Sequence, residues 1–429
     1  MVKLKLFPYQ QKIVDERYKD SIALFMDMGT GKTYVSMGMF QKSQCSKLLV
    51  VCLATKVDDW QRDVSNELGL KTTSLNKGTK RNRKILKEEN DALVISFESS
   101  WRLEELLDWV DNDTYIIIDE SHKLKNHKSK VGKFARKLGD KTKYKSILTG
   151  TPQSRGYVDY YNQFRFLGIM DMSYKEFEDR YCEIALIKWS GFPVKEIVGY
   201  KNTDELDSLI NDNAIYYERD INDEFIPSEM TVKFKKIRKY NQIKKDRVYE
   251  DKSGEMHLFD TTGSLMHATR QLASGYLKGD NLNDSKIKWV KDFVESYDGR
   301  IVIFYNYNRE LEMLEDALKD EPYSIYNGSI KDLTRFKEDA QGIALVNYSS
   351  GSTGINELVI SNVEIHYSVT TSYIDFVQAK KRIDRIGQTK KPLYYYLVME
   401  NTIDSKILES LKKGLDFDEK MFEKYMEAK

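Results

Sequence analysis

Ten short apolar runs, each rich in valine, isoleucine or leucine, set the strongest limit on what this chain can fold into. The first half holds SIALFMD, KLLVVCLA, DALVISF, TYIIIDE and KSILTG, and the second half holds GRIVIFYN, YSIYNG, GIALVNY, VEIHYS and LYYYLVM. Continuous apolar runs of this length are typical of strands buried on both faces of a parallel sheet. Charged, helix-like segments between them complete a repeated βαβ pattern. The sequence therefore predicts two parallel α/β domains of similar construction.

The length agrees with this organisation, because 429 residues at roughly 150 residues per domain favour two or three domains. We predict a first domain over residues 1–222 and a second over residues 223–429. The polar stretch between the two sets of runs predicts a helical insertion at 236–285, with a flexible loop, DKSGEMHLFDTTG, at Asp251–Gly263. Apolar residues at helical spacing near the end predict a closing helix over 403–428.

Composition excludes several classes of protein. The net charge is +1, so nucleic-acid binding would have to rest on local basic patches. The three cysteines form no close pair and the five histidines have no metal-ligand spacing, which argues against a disulfide framework or a zinc site. No apolar run is long enough to span a bilayer, and the first residues lack the apolar stretch of a signal peptide. We therefore expect a cytoplasmic protein without membrane contact.

The segment DMGTGKT, Asp27–Thr33, follows an apolar run and precedes a helix-like stretch, as a phosphate-binding loop does. Gly29, Thr30 and Gly31 would turn backbone amides toward phosphate oxygens. Lys32 would reach the β- and γ-phosphates of a nucleotide, and Thr33 would offer its hydroxyl to Mg²⁺. The strict pattern has a glycine where Met26 stands, so a glycine-containing turn beside a lysine is the alternative.

In the segment YIIIDESH, Tyr115–His122, an apolar run ends in two adjacent carboxylates. They stand at the end of a predicted strand downstream of the phosphate loop. Asp119 can hold Mg²⁺ through water, and Glu120 can take the proton of an attacking water. The alternative is a strand that runs into an ordinary acidic turn.

The segment QAKKRIDRIGQ, Gln378–Gln388, places Gln378, Arg382 and Arg385 at i, i+4 and i+7, on one stripe of a helix. Two guanidinium groups on one face could stabilise the charge on a γ-phosphate during its transfer. A solvated basic helix face is the alternative.

The segment FPYQ places Gln10 upstream of the phosphate loop. A glutamine amide offers one donor and one acceptor to an adenine ring. A surface polar residue is the alternative reading of Gln10 alone.

Together these segments resemble the ordered motifs of superfamily-two helicase-like ATPases, and among them the Swi/Snf-type DNA translocases. FPYQ resembles the Q motif, DMGTGKT motif I, DESHKLKN motif II with its basic extension, and RIDRIGQ motif VI. Further matches follow in order along nearly the whole chain: LVVCLATKVDDWQRDV with Trp60 (motif Ia), VISFES (Ib), LTGTP (III), RIVIFYNYNRELEML (IV) and YSSGSTGIN (V). That family also lacks the first glycine of motif I. Two positions depart from the family pattern. Ser121 stands where the family usually has alanine or glycine, and Asp384 stands where it often has histidine.

The resemblance implies two RecA-like lobes with an ATP cleft between them, and ATP with Mg²⁺ as the nucleotide and the metal. It implies that the first lobe supplies Lys32, Thr33, Asp119 and Glu120, and that the second supplies Arg382 and Arg385. It also implies a bare motor of the kind that phage and bacterial genomes encode. Because both halves of the site would lie in one chain, we expect a monomer.

Three basic clusters, at Lys77–Lys87, Ser121–Lys145 and Lys233–Arg247, could bind phosphates without reading sequence, although solvated helix faces are the alternative. The resemblance implies phosphate contacts from short polar groups, backbone amides and lysines of both lobes: Thr55, Lys56, Ser96, Lys123, Asn327, Gly328, Ser350 and Gly351. We read Trp60 as a packing residue.

The sequence thus predicts a DNA-dependent ATPase that translocates on duplex or branched DNA in replication or recombination, as in fork or branch-migration remodelling. A strand-separating DNA or RNA helicase and a partner-activated remodeller of protein–DNA complexes are the alternatives. A DNA-binding scaffold with an inactive nucleotide site agrees less well with the set Lys32, Glu120 and Arg385.

Overall fold

The structure, a computed structural model, describes residues 4–27, 29–189, 192–217, 226–351, 355–385 and 387–427. The chain divides into two units, Met1–Arg219 and Asp220–Lys429. Both are α/β units with one parallel sheet and flanking helices, so the predicted fold class is confirmed. All ten apolar runs contain strands of these two sheets. The predicted domain boundaries stay predictions.

The first unit holds nine strands and ten α-helices in its described part. The strands are β1 (Ser21–Met26), β2 (Lys47–Cys52), β3 (Thr72–Ser74), β4 (Ala92–Ser96), β5 (Thr114–Asp119), β6 (Lys145–Leu148), β7 (Cys182–Trp189), β8 (Phe192–Tyr200) and β9 (Ala214–Tyr217). The helices are α1 (Pro8–Arg17), α2 (Lys32–Ser43), α3 (Val57–Leu68), α4 (Thr79–Ile85), α5 (Phe97–Ser100), α6 (Leu106–Trp109), α7 (Lys130–Gly139), α8 (Val158–Leu167), α9 (Tyr174–Tyr181) and α10 (Thr203–Asn213).

The main sheet of the first unit has seven parallel strands in the order β3-β4-β2-β5-β6-β1-β9. Successive residues of a strand point to opposite faces, so Leu49 and Ile116 join one apolar core while Val50 and Ile117 join the other. The sheet is covered on both faces, which explains why its strands read as continuous apolar runs. All carboxyl ends lie at one edge, where the candidate site forms.

The hairpin β7–β8 was not predicted. It pairs Cys182 with Tyr200 at its base and shifts register between Glu183 and Ile184. Leu186 and Val198 are exposed. The apolar stretch Ile184–Ile187 in β7 was not among the runs that predicted buried strands.

The second unit holds ten strands and nine α-helices in its described part. The strands are β10 (Ser228–Phe234), β11 (Val248–Glu250), β12 (Met256–Leu258), β13 (Tyr276–Leu277), β14 (Asp280–Asn281), β15 (Ile301–Tyr305), β16 (Tyr323–Tyr326), β17 (Ile343–Asn347), β18 (Val363–His366) and β19 (Leu393–Met399). The helices are α11 (Tyr240–Asp246), α12 (Thr262–Ala273), α13 (Ser285–Ser296), α14 (Asn308–Ala317), α15 (Thr334–Glu338), α16 (Tyr348–Gly351), α17 (Tyr373–Lys380), α18 (Ile403–Lys412) and α19 (Glu419–Glu427).

The main sheet of this unit has six parallel strands in the order β10-β19-β18-β15-β17-β16. The insertion at 236–285 is not purely helical as predicted, because two small antiparallel hairpins, β11–β12 and β13–β14, accompany α11 and α12. Much of the predicted flexible loop belongs to β12 and its turn. Oδ1 of Asp251 organises that turn by accepting hydrogen bonds from the backbone amides of Ser253 and Glu255, at 2.9 Å and 3.0 Å.

The predicted closing helix over 403–428 is two helices, α18 and α19. Gly414, at φ +78°, ends the first of them, because left-handed backbone cannot continue an α-helix. Asp418 then accepts the amide of Met421 and starts α19. Residue 428 lies outside the described residues. In the described ranges, no helix has the length and apolar character needed to cross a membrane.

Candidate active site

The phosphate loop connects β1 to α2 at the carboxyl edge of the first sheet. Gly29 and Gly31 have φ of +79° and +73°, a backbone that glycine adopts without strain. Nζ of Lys32 donates to the carbonyls of Met26 and Asp27, at 2.8 Å and 3.0 Å. Thr30 is buried, and its hydroxyl donates to the Asp27 carbonyl at 2.6 Å. Residue 28 lies outside the described part of the chain. The loop thus ends at a helix N-terminus, which suits phosphate binding.

Gln10 lies directly against this loop. Its amide nitrogen donates to the Thr30 carbonyl at 3.3 Å and to the Tyr9 hydroxyl at 3.3 Å, while its oxygen accepts the Phe7 amide at 2.9 Å. A Cβ built on Gly31 would lie 2.1 Å from the Gln10 nitrogen. Gln10 is therefore a buried partner of the phosphate loop, not a surface residue. Because both edges of its amide already have partners in the chain, pairing with adenine would require an exchange of hydrogen bonds.

The two carboxylates of motif II lie at the same edge, where Asp119 ends β5 and Glu120 follows it. Asp119 Oδ1 accepts the Glu120 amide at 3.0 Å, and Oδ2 accepts the indole nitrogen of Trp60 at 2.9 Å. Glu120 has φ +54°, an uncommon backbone for a residue with a side chain. Such strain persists only where the surroundings hold it. The structure thus places the predicted metal ligand and the predicted base side by side on a constrained turn.

The electrostatic setting of Asp119 depends on several neighbours. Burial raises the pKa of its carboxyl, and the nearby Glu120 carboxylate raises it further. The Trp60 hydrogen bond and the positive charges of Lys32 and Lys56 lower it. Lys32 of the phosphate loop therefore acts on the motif II carboxylate, which links the two predicted halves of the first unit's site.

The oxygen atoms of Asp119 and Thr33 are hard donors of the kind that Mg²⁺ prefers. Each Asp119 oxygen accepts one hydrogen bond and, as a carboxylate oxygen, can accept another. Thr33 is the second residue of α2, one position after Lys32. The residues therefore fit the predicted Mg²⁺ held through water.

Motif II contacts motif III through buried side chains. Nδ1 of His122 lies 3.2 Å from Oε2 of Glu120 and 3.2 Å from the Thr149 hydroxyl. The Thr149 hydroxyl also accepts the Thr151 amide at 3.1 Å. His122 is buried, so it orients the Glu120 carboxylate from within the protein.

The nucleic-acid residues predicted in the first unit have different settings. Thr55 and Lys123 are exposed, each on a short 3₁₀-helix after a strand. Lys56 pairs with Asp59 at 2.9 Å. Ser96 differs from the prediction, because it is buried and its hydroxyl caps α5 by accepting the Ser99 amide at 3.2 Å. A direct phosphate contact from that hydroxyl is not supported.

In the second unit, the structure brings two predicted phosphate-binding loops together after the adjacent strands β16 and β17. A Cβ built on Gly328 would lie 3.9 Å from the Ser350 hydroxyl. Asn327 shapes its loop by accepting the amides of Ser329 and Ile330, both at 2.8 Å. Gly351 ends α16, and residues 352–354 of motif V lie outside the described residues.

The prediction that Gln378, Arg382 and Arg385 share one stripe of a single helix is wrong. Helix α17 contains Gln378 but ends at Lys380, so Arg382 and Arg385 lie on the turns that follow. The Gln388 amide donates to the carbonyls of Val359 and Ser361, at 3.1 Å and 2.7 Å, and so ties the end of the motif to the segment that precedes β18.

The two arginines have different environments. Arg382 is buried together with Gln378, whereas Arg385 is partly exposed and donates to Oδ1 of Asn356 in motif V at 2.7 Å. Burial lowers the pKa of the Arg385 guanidinium.

Two side-chain contacts of the first unit were not predicted from the sequence. Trp60 is a buried packing residue, as predicted, and it also binds Asp119. Gln163 was not singled out, yet it binds Ser121 of motif II at 2.7 Å. The order of the strands was the missing signal. Trp60 follows β2, which pairs with β5 in the sheet, so the two segments meet at the carboxyl edge.

A comparison with protein families gives one match that decides the classification. The model described as the SNF2-related domain matches residues 13–253, more than half of the chain. The chain belongs to the SNF2-related family. The Swi/Snf-type resemblance is confirmed.

Several curated relatives align with nearly the whole SNF2-related chain. The chromatin remodeling factor mit1 of Schizosaccharomyces pombe is 23% identical over 96% of this chain and 32% of its own length. The Drosophila melanogaster SWI/SNF-related matrix-associated actin-dependent regulator of chromatin subfamily A-like protein 1 is 25% identical over 95% of this chain and 55% of its own. The chain thus spans a third to about half of these two relatives.

A bacterial relative and a solved structure complete the comparison. The uncharacterized ATP-dependent helicase YqhH of Bacillus subtilis is 23% identical over 96% of this chain and 78% of its own length. The SWI2/SNF2 ATPase core of Sulfolobus solfataricus, solved in complex with double-stranded DNA, is 21% identical over 99% of this chain and 93% of its own, with a TM-score of 0.46.

Proposed function

We propose that this SNF2-related chain is a DNA-dependent ATPase that translocates along duplex or branched DNA without reading its sequence. One observation carries the ATPase part. The phosphate loop with Lys32 and the pair Asp119–Glu120 lie at one edge of a single parallel sheet, and the charge of Lys32 acts on Asp119. This arrangement can hold a nucleotide and supply a base next to it.

The chemistry follows from the residues of the first unit. The ammonium of Lys32 exchanges the Met26 and Asp27 carbonyls for phosphate oxygens when a nucleotide binds. Asp119 and Thr33 would hold Mg²⁺, which would supply neutralisation of the phosphate charge. Glu120, oriented by His122 at 3.2 Å, takes the proton of the attacking water. Arg382 and Arg385 stay predicted stabilisers of the transferring phosphate.

The DNA part of the proposal is supported by groups that contact phosphates and not bases. Thr55 and Lys123 are exposed on the first unit, and the Gly328 and Ser350 loops meet on the second. Short hydroxyls, backbone amides and lysines bind the sugar–phosphate backbone without direct sequence readout. Basic residues add an attraction that weakens with salt. A role in replication or recombination, through fork or branch-migration remodelling, is part of this proposal.

The test is ATP hydrolysis by the purified protein with no polymer, single-stranded DNA, duplex DNA, branched DNA or RNA, at low salt. We expect strong stimulation by duplex or branched DNA, a decline as salt rises, and no hydrolysis by Lys32→Ala. Displacement of a third strand from a triplex then measures translocation. Wild-type hydrolysis by Lys32→Ala would overturn the assignment of the phosphate loop.

The same assay separates the alternatives. Stimulation only by single strands or RNA, together with strand displacement on tailed duplexes, would instead indicate a strand-separating helicase. A monomer is expected throughout, and light scattering of the protein with and without DNA measures this.

A partner-activated remodeller of protein–DNA complexes is the second candidate. Two relatives are named for chromatin remodelling or regulation, and the chain spans only part of their length. This reading expects low ATP hydrolysis with naked DNA and a rise when a protein–DNA complex is the substrate. Equal rates of ATP hydrolysis with naked and protein-bound DNA would exclude this candidate function.

A further inference from the structure

Ser121 of motif II has a partner that no motif contains. Its hydroxyl donates to Oε1 of Gln163, on α8, at 2.7 Å, and both side chains are fully buried. A buried glutamine is costly unless each polar atom is satisfied. The Gln163 nitrogen meets this demand with two carbonyls, those of Pro152 and Asp159, both at 2.9 Å.

These contacts join two separate loops through one amide. Ser121 stands directly after Glu120, and Pro152 ends the LTGTP segment of motif III. The amide plane of Gln163 is rigid and gives the serine and proline segments a fixed separation. A second link, from His122 to Thr149 at 3.2 Å, runs beside the first. Motif II and motif III are thus tied by two buried side chains.

Glu120 is the residue that most needs such an anchor. Its φ of +54° is unfavourable for a residue with a side chain. Asp119, the residue before it, binds Trp60, and Ser121, the residue after it, binds Gln163. Without the Gln163 contact, the turn keeps the Trp60 contact with Asp119 before it and the His122 contact with Thr149 after it.

We propose that Gln163 is a positioning residue for the hydrolysis step, which holds the strained Glu120 turn in register with motif III through the Ser121 hydroxyl and the Pro152 carbonyl. The inference rests on the proposed ATPase function and adds a residue to it. Gln163 does not touch the nucleotide. It acts through Ser121, so its loss changes the orientation of the Glu120 carboxylate and leaves the phosphate loop intact.

The inference is tested with Ser121→Ala, Gln163→Met and the double variant Ser121→Ala/Gln163→Met. Both single variants leave a buried polar group without its partner, whereas the double variant removes the two polar ends of the contact together. Asn90→Leu is the matched control. Asn90 is also a buried amide, accepting the Thr73 hydroxyl at 2.7 Å and donating to the Glu88 carbonyl at 3.0 Å, outside the motifs and the basic clusters.

Two measurements are made on the full chain. Steady-state kinetics should show a kcat reduced roughly tenfold in the Ser121 and Gln163 variants with KM for ATP changed less than about twofold, the mark of an interaction used in the transition state. Hydrogen exchange of the backbone should rise at residues 120–124 and 151–155 together, and not in Asn90→Leu. Melting temperatures identify variants that are merely unstable.

The double variant separates positioning from packing. We expect its melting temperature to return toward that of the wild type while kcat stays low. Recovery of kcat together with stability would overturn the inference, because packing alone would then explain the single variants. Unchanged exchange at both segments in Ser121→Ala would also overturn it. A wild-type protein that hydrolyses no ATP with any polymer would instead refute the proposed function, and hydrogen exchange would still decide whether the tie exists.

Discussion

The indole nitrogen of Trp60 donates a hydrogen bond of 2.9 Å to Oδ2 of Asp119. Trp60 lies on α3, one turn after Lys56, and Lys56 acts on the same carboxylate through its charge. Two side chains of motif Ia, at i and i+4, therefore influence the predicted metal ligand. The segment predicted to bind DNA and the segment predicted to bind Mg²⁺ are adjacent parts of one local structure.

Replacing Trp60 with phenylalanine removes the N–H donor and retains an aromatic side chain. A hydrogen bond to a charged group contributes about 1.5–3 kcal/mol, so we expect the Mg²⁺ concentration for half-maximal ATP hydrolysis to rise roughly tenfold. Titration of Mg²⁺ at fixed ATP measures this. Trp109→Phe, which alters an indole that contacts Lys47 outside the site, is the control. An equal shift in both variants would contradict a specific role for Trp60.

Gly31→Ala should disable the phosphate loop. The new Cβ would stand 2.1 Å from Gln10, at a backbone φ of +73° that alanine tolerates poorly. We expect nucleotide affinity to fall at least tenfold, measured with a fluorescent ATP analogue. Gly78→Ala is the control, because Gly78 has a similar φ of +81° and nothing within 4 Å of a new Cβ. Equal losses of affinity would mean that the Gln10 contact is unimportant.

Glu120→Gln should separate binding from hydrolysis. The amide has nearly the size of the carboxylate but cannot take a proton from water. We expect hydrolysis to fall by about 10²–10⁴ while bound ATP stays trapped, as measured by filter binding and single-turnover assays. Glu104→Gln, at an exposed position outside the motifs, is the control. Normal turnover by Glu120→Gln would remove Glu120 as the base.

Arg385→Ala tests the predicted role of motif VI in phosphate stabilisation. If the guanidinium stabilises the transferring phosphate, kcat should fall by roughly 10³-fold or more. Asn356→Ala, which removes the 2.7 Å partner of Arg385, should give a smaller loss of the same kind. The exposed Arg335→Ala serves as the control. A loss below tenfold in Arg385→Ala would favour the reading of a solvated basic face.

The buried ion pair of Lys286 with Asp404, at 2.8 Å, should dominate a stability comparison within the second unit. Lys286→Met leaves an unpaired buried carboxylate and should cost roughly 3–5 kcal/mol of unfolding free energy. Its neighbour on α13, Lys288, pairs with Asp284 at 2.7 Å, but both side chains are about two-thirds exposed. Lys288→Met should therefore cost about 0–1 kcal/mol. Urea unfolding compares the two, and similar costs would contradict this assignment.

The strands of both sheets were predictable because burial on two faces demands continuous apolar runs. The phosphate loop and the Asp119–Glu120 pair were predictable for a similar reason, since each combines a strand end with residues of specific chemistry. The hairpin β7–β8 and the break at Gly414 were not, because short or one-sided elements leave weak periodicity. The stripe through Arg382 and Arg385 failed because α17 ends at Lys380, before either arginine.

The amino-acid sequence alone determined the fold class, the order of the motifs and the identity of the residues that carry charge and hydrogen-bonding capacity. The tertiary structure decided which of these residues meet. Trp60 and Asp119, or Ser121 and Gln163, lie 59 and 42 positions apart, and only the order of the strands and the packing of α8 bring them within 3 Å. The physical reason is that local patterns encode burial and backbone preference, whereas the partner of a polar side chain depends on the whole arrangement of the sheet.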